Sequence, residues 1–194
     1  MSKILIAYST NSGSTAEVAE TIALELENGG HSAEVKQIAD VSDLSGYDAV
    51  VVGAPMIFGW QTAARGFLKH YQSQLKEKKT AYFACAARLT RVDEEHLSPS
   101  PVLLDPNLVS NPEKPGKMSL KERFTTLKYY LDPMLGAAPQ IKPVSIAFFK
   151  GSIQMYRLKW WQAAFVMIIV QATPGDGRDW ELIKSWARSL GNQF

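Results

Sequence analysis

Cysteine is almost absent from this sequence. Cys85 is the single one among 194 residues, which excludes an internal disulfide and any cysteine-based zinc site and fits a reducing compartment. Histidine is scarce as well. His31, His70 and His96 fall at a strand start, in a helix and in a loop, without metal-ligand spacing. No apolar run reaches the roughly 18 residues of a membrane span. The short run after Lys3 is too brief for the apolar region of a secretory signal, so a cytoplasmic location is expected. A net charge of +2 gives no argument for nucleic acid. Neither the dinucleotide pattern GxGxxG nor the P-loop pattern GxxxxGK[ST] occurs, and there is no GxSxG elbow. No internal repeat is visible, and no carboxylate pair stands out as an acid–base dyad. What remains is a chain with 46% hydrophobic and 21% charged residues, the balance of a folded protein with a core. Its length suggests one domain over residues 1–194, with insertions at about 91–118 and 151–176.

One stretch organises the rest. Ser9, Thr10, Asn11, Ser12, Gly13, Ser14 and Thr15 follow the apolar run Ile4 to Tyr8 and lead into a helical pattern. Strand, tight loop and helix N-terminus in that order make an anion site, with backbone N–H groups and the helix dipole facing the ligand. A hydroxyl-rich loop without Lys suits a terminal phosphate monoester bound without metal. The alternative is an ordinary Ser/Thr turn with an N-cap.

Residues 14–28 read as an amphipathic helix through Ala16, Val18, Ala19, Ile22, Ala23 and Leu26, closed by Gly29 and Gly30. His31 to Ile38 reads as a strand, and Ala49 to Ala54 as a buried parallel strand. Pro55, Met56, Ile57, Phe58, Gly59 and Trp60 then form a loop where such sheets bind ligands, and its aromatic residues suit stacking on a flat ring. Packing of Phe58 and Trp60 onto the next helix is the other reading. Thr62 to Leu75 is a helix with Phe67, Leu68 and Tyr71 buried, and Thr80 to Cys85 a fourth strand. Cys85, Ala86, Ala87 and Arg88 make a third loop at the ligand edge. Cys85 reads as a small core residue, since no histidine is placed to activate it.

From Arg91 to Lys117 five prolines punctuate a polar stretch, either a functional loop or a disordered one. Ser119 to Leu131 predicts one helix with a Ser119/Glu122 capping box, a stripe of Leu120, Phe124, Leu127 and Leu131, and Pro133 as its stop. Val144 to Phe149 is the fifth strand. Tyr156 to Val170 follows, apolar nearly all round if helical, with Arg157, Lys159, Trp160 and Trp161 at its start. That edge suits an interfacial membrane anchor, while a buried helix or an oligomer interface also accounts for it. Asp179 caps a last helix with Leu182, Ile183, Trp186 and Leu190 as its buried face. The sum is an α/β doubly wound five-stranded parallel sheet with helices on both faces and two insertions.

The hydroxyl-rich loop, the aromatic loop after strand three and the small-residue loop after strand four together resemble the flavodoxins. The resemblance implies FMN as cofactor. It implies that Thr10, Asn11, Ser12, Ser14 and Thr15 hold the phosphate, with Gly13 allowing the turn. Pro55 to Trp60 and Cys85 to Arg88 would flank the isoalloxazine ring. The apolar insertion, the Asp179-Trp180-Glu181 helix start and the Phe58-Gly59 pair are similar to the menaquinone-dependent protoporphyrinogen oxidases, a branch of this family. That branch implies a tetrapyrrole substrate, a quinone acceptor and a position on the inner face of the cell membrane. In it, Arg157, Lys159, Trp160 and Trp161 would meet substrate propionates or lipid. The alternatives are an electron-transfer protein docking on redox partner proteins and an NAD(P)H:quinone reductase.

Overall fold

A computed structural model of the chain describes residues 1–56, 59–91, 98–114, 118–153 and 175–194. Its frame is a parallel sheet. The strands are β1 (Lys3–Tyr8), β2 (Ser32–Gln37), β3 (Ala49–Met56) and β4 (Lys79–Ala86), then β6 (Val102–Leu104) and β8 (Ser145–Lys150), in the order β2-β1-β3-β4-β8-β6. Two short pairs stand apart: β5 (Leu89–Thr90) with β7 (Val109–Ser110), and β9 (Ser152–Ile153) with β10 (Gly175–Asp176).

The central strands are apolar through their middles because both sheet faces are covered. Successive side chains alternate between two layers. Ile4, Ile6, Val51, Phe83, Cys85 and Phe149 face α1 (Ser14–Asn28) and α6 (Trp180–Gly191). Leu5, Val50, Val52, Tyr82, Ala84 and Phe148 face α2 (Thr62–His70), α3 (Gln72–Leu75) and α5 (Leu127–Gly136). The Trp186 indole N–H donates to Ser145 Oγ at 2.9 Å, which ties α6 to the start of β8.

The sheet has six strands, one more than the sequence predicts. The extra strand comes from the Pro-rich stretch: Val102, Leu103 and Leu104 pair with Ile146, Ala147 and Phe148 at the edge. Asp105 fixes it there. Its N–H donates to Phe148 O, and its buried carboxylate accepts from the backbone N–H of Asn107 (2.8 Å) and Lys150 (2.9 Å).

Two helices differ from expectation. The 62–75 helix breaks at Tyr71. The predicted 119–131 helix is two, α4 (Leu120–Arg123) and α5, because Thr126 caps a new start by accepting from Tyr129 N–H at 3.3 Å. The break turns Leu120 and Phe124 outward, 69% and 41% exposed, and Pro133 lies inside α5 instead of stopping a helix. The Ser119/Glu122 capping box is present as predicted.

Candidate functional site

Chain order reverses at β1, which has β2 on one side and β3 on the other. Ligands of such sheets bind at the carboxyl edge beside that reversal. Loop 9–15 leaves β1 at this edge. Ser9 N–H donates to Gly53 O at 2.9 Å, which fastens the loop to β3. Thr10 Oγ1 accepts from Gly13 N–H at 2.9 Å, closing the turn. Gly13 has φ 92°, a conformation that glycine adopts without penalty, and it is the N-cap of α1. No side chain caps that helix. Ala16 and Glu17 N–H donate to Gly13 O at 3.0 and 3.2 Å, and the N–H groups of Ser14 and Thr15 at the very start are the ones a helix N-terminus leaves for a ligand.

Two hydroxyls in this loop are orphaned. Ser9 Oγ and Thr15 Oγ1 are sealed from water and have no hydrogen-bond partner. Thr15 lies beside the Cys85 thiol. Burial pushes that thiol up to about 12, against smaller opposing effects of the Thr15 hydroxyl and the Arg178 charge. Cys85 is a buried core residue, as the sequence predicts.

The second loop is tied to the first by a residue that local patterns do not reveal. Gln61 Nε2 donates to Asn11 Oδ1 at 2.8 Å. Of the expected ring-flanking residues, Ile57 and Phe58 lie outside the described residues, and Gly59 is half-buried with φ 115°. Pro55 and Met56 are not loop but strand, paired with Cys85 and Ala86. β3 and β4 run on because parallel pairing satisfies their backbone groups to the end. Met56 and Ala86 point into one core layer and Cys85 into the other. Trp60 is 1% exposed and packs in the core against Tyr82, their rings tilted with centroids 5.6 Å apart.

The Arg88 side chain is engaged by the inserted segment. Its Nε donates to Ser110 Oγ at 2.8 Å, and its guanidinium nitrogens lie 3.9 Å from Glu113 and 3.8 Å from Glu122. Glu122 is buried and accepts from the N–H groups of Glu113 and Ser119, each at 2.6 Å, and these bonds hold its carboxyl below the usual range. Ala87, like Arg88, is half-buried at the edge.

One cation does reach the loop, from far along the chain. The Arg178 side chain is 3% exposed and pairs with Glu17 in the first turn of α1 at 2.7 Å. It also donates to Ser14 O at 3.3 Å and from Nε to Asp176 Oδ1 at 2.8 Å, and it lies over the Trp180 ring at 4.4 Å. The bonds to Arg178 keep the Asp176 carboxyl below its ordinary range. Residues 173–178 read as a plain turn in the sequence. Arg157, Lys159, Trp160 and Trp161 lie outside the described residues. Among the described residues no cluster of His, Cys, Asp and Glu could hold a metal, and no helix is long and apolar enough to cross a membrane.

A uniformly parallel sheet with an uncapped, hydroxyl-rich loop at its reversal point defines a mononucleotide-binding flavoprotein fold. The chain belongs to the flavodoxin domain family, which matches residues 5–179, and its cofactor is FMN. It is similar to the "Protoporphyrinogen IX dehydrogenase [quinone]" of Escherichia coli (strain K12), with 23% identity over 201 residues, 98% of this chain and 95% of the relative. In fold it is similar to a flavodoxin from the domain Archaea, at TM-score 0.52 and 13% identity, covering 98% and 97% of the two chains. It also resembles the rubredoxin oxygen:oxidoreductase of Desulfovibrio gigas, at TM-score 0.51 and 15% identity, with 98% of this chain and 35% of the larger one covered.

Proposed function

We propose that this chain is an FMN-dependent dehydrogenase that oxidises protoporphyrinogen IX, a reduced tetrapyrrole, and delivers the electrons to a membrane quinone. The observation that carries the reading is the similarity to the Escherichia coli dehydrogenase over nearly the whole of both chains, a span that includes both insertions. Bound FMN supplies the two-electron chemistry between macrocycle and quinone, and the protein supplies binding and orientation.

The residues present fit the cofactor phosphate. The orphaned Ser9 and Thr15 hydroxyls need an acceptor, which a phosphate oxygen provides. Thr10, Asn11, Ser12 and Ser14 surround the same turn, Gly13 lets the backbone approach, and the uncapped start of α1 adds N–H donors. The residues from Pro55 to Gly59 and those from Cys85 to Ala87 would flank the ring. Apolar strand ends exclude water there. Arg157 and Lys159 take substrate propionates or lipid phosphates, and Trp160 and Trp161 seat the protein at the membrane surface where quinone and macrocycle both partition.

The test is purified holoprotein mixed with a quinone and protoporphyrinogen IX under low oxygen. The reading requires porphyrin fluorescence to rise faster than autoxidation, in proportion to enzyme. A rate equal to the protein-free control overturns it.

A further inference from the structure

We propose that the Pro-rich segment before α4 is a splint for the cofactor-ring loop after β4, with Ser110 and Tyr130 as positioning residues that act through Arg88. The proposal rests on the flavin ring lying against residues 85–88. It does not depend on which donor and acceptor the flavin serves.

The loop leaving β4 is held from outside. Ala86 and Ala87 have no polar side chain to fix them. The bonds come instead from residues 108–130. Leu89 and Arg91 donate their N–H groups to Leu108 O and Ser110 O at 2.9 and 2.8 Å, and Thr90 N–H donates to Thr125 O at 2.8 Å. The Thr90 and Thr125 hydroxyls also meet at 2.8 Å. Arg88 is gripped twice. The Tyr130 hydroxyl donates to its backbone carbonyl at 2.9 Å, and its Nε donates to Ser110 Oγ at 2.8 Å. Leu89 and Thr90 are buried beneath these contacts.

The splint is fastened in turn to the sheet. The Asp105 carboxylate accepts from Lys150 N–H at the end of β8, and the Lys150 ammonium donates to Asn107 O at 2.8 Å. Tyr130 is buried and stacks on Phe148 of β8, with centroids 5.9 Å apart. Both anchors stand on β8, the neighbour of β4 in the sheet. A loop fixed by outside bonds before its ligand arrives loses less freedom on binding. The segment therefore supplies a preformed wall for the ring, while the phosphate is left to loop 9–15.

The experiment uses two flavins, since riboflavin has the ring of FMN without the phosphate. Apo-protein is titrated with each for the wild type, Ser110→Ala, Tyr130→Phe, their double variant and Ser145→Ala. Ser145→Ala removes the buried bond to Trp186 at the start of β8 and controls for a general loss of stability. Flavin fluorescence reads affinity, and visible circular dichroism reads how the bound ring is held. Each lost bond is expected to weaken flavin up to about fivefold, and the double variant about tenfold. FMN and riboflavin should weaken by the same factor, within about twofold. The visible dichroism of the bound flavin should change in the double variant and match wild type in Ser145→Ala. Loss confined to FMN, wild-type affinity or dichroism in the folded double variant, or an equal effect in Ser145→Ala each overturns the proposal. If the double variant does not fold, Tyr130→Phe decides, because it keeps the ring that stacks on Phe148. A shift with both flavins supports the role, and wild-type values end it. A wild type that binds neither flavin overturns the proposal together with the cofactor assignment, whereas a failed protoporphyrinogen assay bears on the proposed reaction alone.

Discussion

The end of the Phe83 ring lies against Gly53 of the neighbouring strand, so close that a Cβ on Gly53 would stand 2.0 Å from Phe83 Cζ. The missing side chain of one strand is replaced by the aromatic ring of the next. Gly53 O also accepts from Ser9 N–H, so the contact lies directly under the phosphate loop. Gly53→Ala is expected to cost about 1–3 kcal/mol, as overpacking does. Urea unfolding of the apo-protein measures it. Adding Phe83→Leu should restore part of the loss, whereas an unchanged midpoint in Gly53→Ala would show that the ring moves aside freely.

Thr15 separates stability from binding. Its hydroxyl is buried without a partner, so Thr15→Val removes an unsatisfied polar group and leaves apo-protein stability equal or slightly higher. The same change deprives the cofactor phosphate of a donor and weakens FMN by about tenfold or more. Thermal melts of apo-protein and a flavin titration should move in opposite directions. Parallel losses would place the hydroxyl in the fold and not in the site.

Gln61 and Asn11 are 50 residues apart and joined by one exposed hydrogen bond. Gln61→Ala frees the two loops from each other. A neutral bond of this kind contributes about 1 kcal/mol, so FMN affinity should fall roughly fivefold. The melting temperature should hardly change, because neither side chain packs in the core. A large stability loss would contradict this reading.

Glu122 gives the fold an acid sensitivity. Its folded carboxyl titrates below the ordinary value of 4.5, chiefly through the Glu113 and Ser119 N–H bonds. A depressed carboxyl stabilises the folded state fully above that ordinary value, and the contribution disappears as pH falls through the folded value. Glu122→Gln should therefore be less stable than wild type at pH 7, with the gap closing as pH drops below about 4. Melting temperatures across that range check it, and a gap independent of pH would assign the effect to packing.

The central sheet was legible because burial on both faces leaves continuous apolar runs at Ile4 to Ala7, Val50 to Val52 and Ile146 to Phe149. The phosphate loop was legible because strand, hydroxyls, Gly13 and helix are contiguous. Three features were hidden, each for its own reason. Val102 to Leu104 is too short between prolines to show a period, and it is a strand only because β8 offers an unpaired edge. Thr126 restarts a helix inside an apolar pattern that continues through it, so periodicity ran past the break. Arg178 comes to α1 through tertiary folding across 164 residues, and nothing in its neighbours signals the destination. Trp60 was open between two readings. An aromatic residue just after a strand suits stacking or packing equally, and its bridge to Met56 turns it inward.

β9 and β10 place Ile153 and Gly175 opposite each other in an antiparallel pair. The 21 residues between them therefore begin and end at one point on the protein. Their flanks meet in one antiparallel pair outside the six-stranded sheet, and every strand of that sheet is paired by residues outside this span.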